Sequence, residues 1–235
     1  MAAAMARGWR GNADLMLFSD AGSGRARELA EELGGEVASN EEIAERAGLV
    51  VVAVKPAKLD EVAPQLGAAK EVVSILAAVP VIRLNESFPG ARVLRVMPNV
   101  GVEVRRGVLC VAGDAAAETR AKLELLGHVV ELPDGDFDEA TAVMGCAPAY
   151  LALAVEALAD AGAAAGLDSE LARQLVVETT AGTAELLRIR HPADVRKAVA
   201  SPGGATEAGL EALDREGARA AFEAAVEASL ERMRG

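Results

Sequence analysis

The sequence is poor in the residues that build disulfide frameworks, metal sites and nucleic-acid interfaces. It has two cysteines, two histidines and 3% aromatic residues. Cys110 and Cys146 both lie in apolar surroundings, which predicts buried free thiols rather than a disulfide framework. His128 and His191 are far apart and lack ligand spacing, so no metal site is expected. The net charge of −12 would repel a phosphate backbone, and we therefore expect no nucleic-acid partner.

Long hydrophobic runs are missing as well. The longest uncharged stretch, 140–155, is too short to span a bilayer and contains Gly145 and Pro148. The N-terminus has no basic segment followed by an apolar one, as a secretory signal would have. We therefore expect a cytoplasmic protein with no membrane partner.

What the sequence has is alanine and valine, arranged differently in its two parts. In the first part, the Val-rich run 49–54 is bounded by Gly48 and Pro56 and is typical of a fully buried strand. Strands alternating with helices predict βαβ units and a parallel sheet, an α/β fold. Further strands are predicted at 15–18, 72–75, 81–84, 93–96, 108–111 and 129–132.

The pattern changes at 132–136, and the second part reads as helices without strands. Helices are predicted at 138–165, 168–189, 192–200, 205–216 and 218–233. In the last one Phe222, Val226 and Leu230 repeat at every fourth residue and form one apolar face. We therefore expect two domains, at 1–135 and 136–235. Because long Ala/Leu helices with small side chains need another surface to pack against, we expect the second domain to be completed by another copy of the chain.

A candidate ligand site lies between two of these helices, in Ser201-Pro202-Gly203-Gly204-Ala205-Thr206. Two glycines let the backbone approach a ligand, and the amides that begin the next helix have no intrahelical partners. Such a turn suits a carboxylate or phosphate. The alternative is a tight turn in which Thr206 serves only the capping turn of the helix.

This turn and several other motifs together resemble the pyrroline-5-carboxylate reductase family over nearly the whole chain. The other motifs are Ala53-Val54-Lys55-Pro56, Val96-Met97-Pro98-Asn99, Gly145 with Pro148-Ala149-Tyr150, the helix 156–167 and His191-Pro192. The resemblance implies a Rossmann-like domain followed by an all-helical dimerisation domain. It also implies NADPH- or NADH-dependent reduction of the cyclic imine pyrroline-5-carboxylate to proline in proline biosynthesis.

The resemblance assigns roles to individual residues. Amides of Gly203, Gly204 and Ala205, beside Ser201, would hold the substrate carboxylate, and the catalytic hydroxyl of Thr206 would bond the ring nitrogen. The nicotinamide side would be lined by Val54, Lys55 and Pro56, and Asn40 would contact the adenosine end. Met97 and Asn99 follow another strand, where Asn99 would present its amide to cofactor or substrate. The alternatives are an exposed loop lysine at Lys55 and a plain turn at Asn99.

Position in the fold, rather than the resemblance, indicates two further residues. Asp20 follows Ser19 at the end of the first visible strand, where an acid commonly accepts a bond from the adenosine ribose, whereas Arg25 is close enough in sequence to neutralise a 2′-phosphate. These two residues point to NADH and NADPH respectively, and the choice stays open.

The chain also departs from the family pattern. No strand and Gly-rich turn precede the helical segment 1–9, so a pyrophosphate cradle and a central strand are missing. A late start or truncation, a degenerate paralogue and a rearranged sheet would each explain this. In addition, Met144-Gly145-Cys146-Ala147 replaces a hydroxyl-rich segment of the family.

Two other functions compete with the imine reductase. One is a non-catalytic dimeric homologue that has lost cofactor binding, favoured by the missing turn. The other is a dehydrogenase of β-hydroxy acids, which predicts a catalytic lysine in the long helix after the sheet. The segment 138–165 contains no lysine, so we rank this function last.

Overall fold

The computed structural model describes residues 1–234, which form two compact units divided between Pro148 and Ala149. The first unit contains seven strands: β1 Leu17–Phe18, β2 Glu36–Val37, β3 Val50–Val52, β4 Glu71–Ser74, β5 Arg92–Pro98, β6 Gly107–Gly113 and β7 Gly127–Glu131. Its helices are α1 Ala2–Gly8, α2 Arg25–Leu33, α3 Asn40–Arg46, α4 Leu59–Val62, α5 Val81–Ser87, α6 Ala117–Glu124 and α7 Phe137–Ala140.

The strands form two sheets rather than one. β1 pairs in parallel with β2, and a second sheet has the order β3-β4-β5-β6-β7. Within residues 1–234, no strand bonds to β1 or β3 on the side away from β2 or β4. Each sheet therefore keeps a free parallel edge where a continuous Rossmann-like sheet would be closed.

Both faces of the larger sheet are covered by apolar side chains. On one face Val52, Val72 and Val93 pack with Leu59 and Leu84 from α4 and α5. The other face includes Met5 of α1 and Leu123 of α6. A sheet buried on both faces explains the Val-rich strands, because both sides of each strand must be apolar.

Helix α1 is fixed closely to this second face. At Gly8 an added Cβ would lie 2.2 Å from the carbonyl oxygen of Val102, so only glycine permits this approach. The guanidinium of Arg105 donates to the carbonyl of Gly8, and the indole of Trp9 donates to the carbonyl of Lys122. These contacts hold the end of α1 against the sheet.

One sequence prediction for the first unit was wrong, and the predicted parallel sheet holds with one exception. The run 81–84, predicted as a strand, is the start of helix α5. Pro80 is its N-cap, Ile82 is exposed and Leu84 is fully buried, so four apolar residues here follow the helical period rather than a strand. The sheet is also not all parallel, because β5 and β6 run antiparallel. The connection 99–106 is too short for a parallel crossover, which takes about a dozen residues or more.

The second unit is helical, as predicted. Helix α8, Ala147–Ala164, crosses the boundary between the units, and α9 Ser169–Leu187, α10 Pro192–Val199, α11 Ala205–Arg215 and α12 Ala218–Arg234 follow. Asp168 is the N-cap of α9 and accepts bonds from the amides of Glu170 and Leu171. The predicted long helix 138–165 is instead α7, a π-helical turn Thr141–Gly145 and α8 in succession. The two thiols also differ, since Cys110 is buried whereas Cys146 is half-buried.

One helical run, Asp134–Ala164, is long and apolar enough by length and composition to cross a membrane. It is longer than the uncharged stretch singled out in the sequence, because it includes charged residues at both ends. Its apolar surface is mostly exposed within one chain. A single run of this kind is weak evidence, since helices that pack in protein interiors pass the same test.

Candidate functional site

The residues predicted to bind cofactor follow the carboxyl ends of strands in the first unit. Because β3, β4 and β5 are parallel and in register, their carboxyl ends meet at one edge of the sheet. Ligands of open α/β sheets bind outside this edge. Lys55 follows β3, and Met97 and Asn99 lie at the end of β5, so the structure brings the predicted nicotinamide-side residues to the same edge.

Lys55 presents a free charge at this edge. It is exposed and is the N-cap of a short 3-10 turn, Pro56–Lys58, whose proline ends the strand segment. The ammonium group of Lys55 has no ion-pair partner within the described chain. Val54 is half-buried beside it and packs against the core on that face of the sheet. The segment therefore offers an accessible positive charge on a fixed backbone.

Asn99 is held from both ends of its amide. Its Oδ1 accepts from the backbone N–H of Val108 at 3.1 Å, and its Nδ2 donates to the carbonyl of Met144 at 3.2 Å. The side chain thus links β5 and β6 to the π-helical turn that precedes α8. One amide hydrogen remains, so contact with a ligand and a positioning role are both compatible with this geometry.

The predicted adenosine-side residues lie around α2 and α3. Asp20 and Arg25 flank the loop between β1 and α2, and Ser19 is exposed at its start. Asn40 is the first residue of α3, and its Nδ2 donates to Oε1 of Gln65 at 2.7 Å. The side-chain amide of Asn40 therefore already has an internal partner.

The predicted substrate turn lies in the second unit, between α10 and α11. Gly203 has φ of +70°, and Gly204 is the N-cap of α11 with no side-chain cap bond. The amide of Gly203 donates to Oε2 of Glu207 at 2.7 Å, and that of Gly204 donates to the carbonyl of Ser201 at 2.9 Å. Two of the three amides predicted to face a carboxylate thus already donate within the chain.

The remaining donors of this turn are free. In the described chain, the amides of Ala205 and Thr206 have no hydrogen-bond acceptor, and the exposed hydroxyl of Thr206 has no partner. A helix start with unpaired amides attracts anions. The structure does not support Thr206 as a capping residue, because its side chain makes no hydrogen bond to a backbone amide of α11.

The sequence analysis missed a buried charge in strand β5 of the first unit. Arg95 interrupts the apolar strand β5, and its side chain is 5% exposed. Its guanidinium pairs with Asp134 at 2.8 Å and lies 4.2 Å from the ring centroid of Phe137, while its Nε has no partner. The other carboxylate oxygen of Asp134 accepts from the amide of Val81 at the start of α5. The sequence does show this feature, as a single arginine within the apolar run Val93-Leu94-Arg95-Val96.

The residues at both ends of the expected dinucleotide fit that cofactor. An acid follows β1, where an adenosine ribose binds in such folds, and a free lysine follows β3. For the pyrophosphate, the turn between β1 and α2 contains Gly22 and Gly24, both with positive φ, and among the described residues no strand precedes α1. Among the same residues, no group of three or more His, Cys, Asp or Glu side chains is placed to hold a metal ion.

Comparison with family models gives two matches, one in each part of the chain. Residues 134–235 match the model described as pyrroline-5-carboxylate reductase dimerisation. Residues 1–78 match the model described as NADP oxidoreductase, coenzyme F420-dependent.

Curated relatives are named as pyrroline-5-carboxylate reductases. Pyrroline-5-carboxylate reductase of Synechocystis is 40% identical over 204 residues, covering 82% of this chain and 76% of the relative. The enzyme of Thermus thermophilus is 38% identical over 218 residues, covering 88% and 82%.

Solved structures agree with these relatives. Pyrroline-5-carboxylate reductase of Streptococcus pyogenes superposes with a TM-score of 0.86 at 29% identity, covering 99% of this chain and 94% of that one. Pyrroline carboxylate reductase of Plasmodium falciparum, with NADP bound, superposes with a TM-score of 0.80 at 26% identity, covering 98% and 92%. The predicted fold, a Rossmann-like domain followed by a helical dimerisation domain, is therefore confirmed, and the chain belongs to the pyrroline-5-carboxylate reductase family.

Proposed function

We propose that this chain reduces pyrroline-5-carboxylate to proline with NADH or NADPH. The observation that carries the proposal is the turn before α11, whose unpaired amides and free hydroxyl suit a small anionic imine, in a chain of this family. The curated relatives named above are reductases, which gives no support to a non-catalytic homologue.

The turn offers two kinds of donor to such a substrate. Amides of Ala205 and Thr206 bind its carboxylate, and the amide of Gly203 joins them when the Glu207 side chain moves away. Gly204, whose amide closes the turn onto Ser201, keeps these donors in place. The carboxylate thereby fixes the orientation of the ring relative to α11.

The hydroxyl of Thr206 donates to the ring nitrogen and assists its protonation as carbon is reduced. When bound, the nicotinamide supplies the hydride. The protein contributes orientation, and holding two reactants in reacting geometry lowers a barrier by about 7 kcal/mol or more in favourable models. Lys55, Val54, Pro56, Met97 and Asn99 are the residues we assign to the nicotinamide side, and Ser19, Asp20, Arg25 and Asn40 to the adenosine side.

We further propose how the chain is organised in the cell. Residues 1–135 serve the cofactor, and residues 136–235 serve the substrate and a homodimer or higher oligomer. The match to a dimerisation model over 134–235 supports the oligomer. We propose a cytoplasmic location, without membrane or nucleic-acid partners, because the acidic charge and the biosynthetic reaction fit that compartment.

The reaction is tested with the purified protein, pyrroline-5-carboxylate and each reduced nicotinamide nucleotide. We expect substrate-dependent loss of reduced-nicotinamide absorbance and formation of proline, identified by chromatography. Omitting pyrroline-5-carboxylate is the control for uncoupled oxidation. If neither nucleotide supports proline formation at any substrate concentration tried, the proposed function is wrong.

A further inference from the structure

The loop between β1 and α2 is organised around the carboxylate of Asp20. Its Oδ1 accepts from the amide of Gly22 at 2.7 Å. Its Oδ2 accepts from the hydroxyl of Ser23 at 3.0 Å and from the amide of Ala26, in the first turn of α2, at 2.9 Å. The amide of Ala26 foremost, with the other donors, lowers the pKa of Asp20 below its ordinary value. A fixed negative charge therefore sits at the start of α2.

The position of this charge matters for the adenosine end of the cofactor. Asp20 follows the carboxyl end of β1, the place where an acidic residue of a dinucleotide-binding fold meets the adenosine ribose. NADH and NADPH differ only at this ribose, which carries a 2′-hydroxyl in one and a 2′-phosphate in the other. What surrounds Asp20 therefore decides which of the two is accepted.

Resting on the proposed function, we propose that Asp20 is the specificity-determining residue of the cofactor site and makes this chain prefer NADH to NADPH. An ionised carboxylate has about four acceptor positions, and three are used by the loop. The remaining position accepts the proton of a ribose 2′-hydroxyl. A 2′-phosphate carries a charge of about −1.5 to −2 and is mostly deprotonated, so it does not donate to Asp20 and is repelled by the negative charge of that carboxylate.

The donors that would bind a 2′-phosphate already donate hydrogen bonds to Asp20. The amide of Ala26 and the hydroxyl of Ser23 both point at Asp20, so the start of α2 is neutralised from inside the chain. Arg25 and Arg27 are exposed, and their side chains have no ion-pair partner among residues 1–234. No bond of the described chain fixes these two guanidinium groups, whereas the carboxylate of Asp20 is fixed by three bonds. The preference therefore follows Asp20, which would set this chain apart from the Plasmodium relative described with NADP bound.

The test is the ratio of dissociation constants for NADH and NADPH, measured by titration calorimetry without substrate. For the unaltered protein we expect NADH to bind about 10-fold more tightly or better, because like-charge contacts are strongly disfavoured. Asp20→Asn keeps the size of the side chain and removes its charge, so the ratio should fall to about threefold or less. Asp20→Glu keeps the charge and should keep the preference.

Glu28→Gln is the matched control, since Glu28 also lies in the first turn of α2 but is exposed and makes no side-chain bond in the described chain. Its removal changes the net charge equally and should leave the ratio unchanged. Thermal midpoints and circular dichroism of every variant show whether the loop still folds.

Three results would overturn the inference: NADPH bound as tightly as NADH by the unaltered protein, a ratio that Asp20→Asn does not change, or no binding of either nucleotide. The proposed reaction fails by a different result. A protein that binds NADH selectively but forms no proline would contradict the reductase function and leave the role of Asp20 intact.

Discussion

Single residues decide how the turn before α11 could act on a substrate. Thr206 is the second residue of α11, and Gly204, without a side chain, is the N-cap. Neither position stabilises the helix through a side-chain bond to the backbone. The residue that does bond the turn is Glu207, through the amide of Gly203. The hydroxyl of Thr206 is therefore available to a substrate, whereas the carboxylate of Glu207 already accepts from the amide of Gly203.

Thr206→Val should lower turnover by roughly 100-fold, since positioned proton donors contribute about that much or more. The change keeps volume and branching but removes the hydroxyl. Because this hydroxyl is exposed and has no partner in the described chain, the free energy of unfolding should change by less than about 0.5 kcal/mol. Nucleotide affinity should stay nearly constant. Proline formation and the thermal midpoint are measured on one preparation, and a stable, fully active variant would remove Thr206 from the mechanism.

Glu207→Gln should lower KM for pyrroline-5-carboxylate by a few-fold, with kcat little changed, since the interaction of two partly solvated charges contributes about 0.2–1 kcal/mol. The substitution removes a negative charge beside the substrate carboxylate and weakens the competitor for the amide of Gly203. Helix stability should fall slightly, because an acid in the first turn favours the helix by about 0.3–1 kcal/mol. Glu211→Gln, one turn further along α11 and exposed, is the control. An unchanged or higher KM would show that Glu207 does not compete with substrate.

At the scale of elements, long periodic or Val-rich segments were predictable and short ones were not. The helices of the second unit and strands β3 to β7 follow the sequence pattern closely. The strand β2 was missed because two residues, one of them charged, carry no readable period. The run 81–84 was misassigned because apolar runs of this length fit either period until a cap such as Pro80 is considered. For the site, the sequence indicated the segments, but the internal bonds of Asp20, Gly203 and Asn99 depend on loop geometry that no motif encodes.

A version of the protein extended at its N-terminus by a strand and a Gly-rich turn should bind NADH about 10-fold more tightly than the 235-residue chain. The turn would supply backbone amides to the pyrophosphate. The added strand would pair with the free edge of β3. The carbonyl of Val52 accepts from the amide of Ile75 on the β4 side, so the backbone groups of Val51, the preceding residue, point to the free edge. Each bond gained there adds a net of about 0.5–1.5 kcal/mol, so the thermal midpoint should rise as well.

The matched control for this extension carries proline in the added strand, which removes a ladder donor. It should lose most of the gain in thermal midpoint. Calorimetry on the chain and both extended versions decides the question. Equal affinity for NADH in all three would mean that the free edge between β1 and β3 plays no part in cofactor binding.

At the scale of the whole molecule, the second unit leaves many large apolar side chains exposed in a single copy of the chain. Among its described residues, those buried are Ala159 and Ala172. Large apolar side chains along α8, α9, α11 and α12 are about half exposed or more; they include Leu151, Leu153, Leu158, Leu175, Leu213 and Phe222. Helices with this much apolar surface are stabilised by packing against another surface. The match of residues 134–235 to a dimerisation model indicates a second copy of the chain as the source of that surface, and we expect the apolar run Asp134–Ala164 to pack there.

The protein should therefore be a dimer or higher oligomer at micromolar concentration, by light scattering or sedimentation. Leu153→Asp and Leu175→Asp, on α8 and α9, should each shift the mass toward the monomer and lower the thermal midpoint, because a buried unpaired charge at an interface is costly. Ile82→Asp is the control, since Ile82 is 70% exposed on α5 in the first unit. With a net charge of −12 on each copy, added salt should strengthen association by screening repulsion. A clean monomer, or two Leu variants that associate as well as the Ile82 variant, would contradict assembly through these helices.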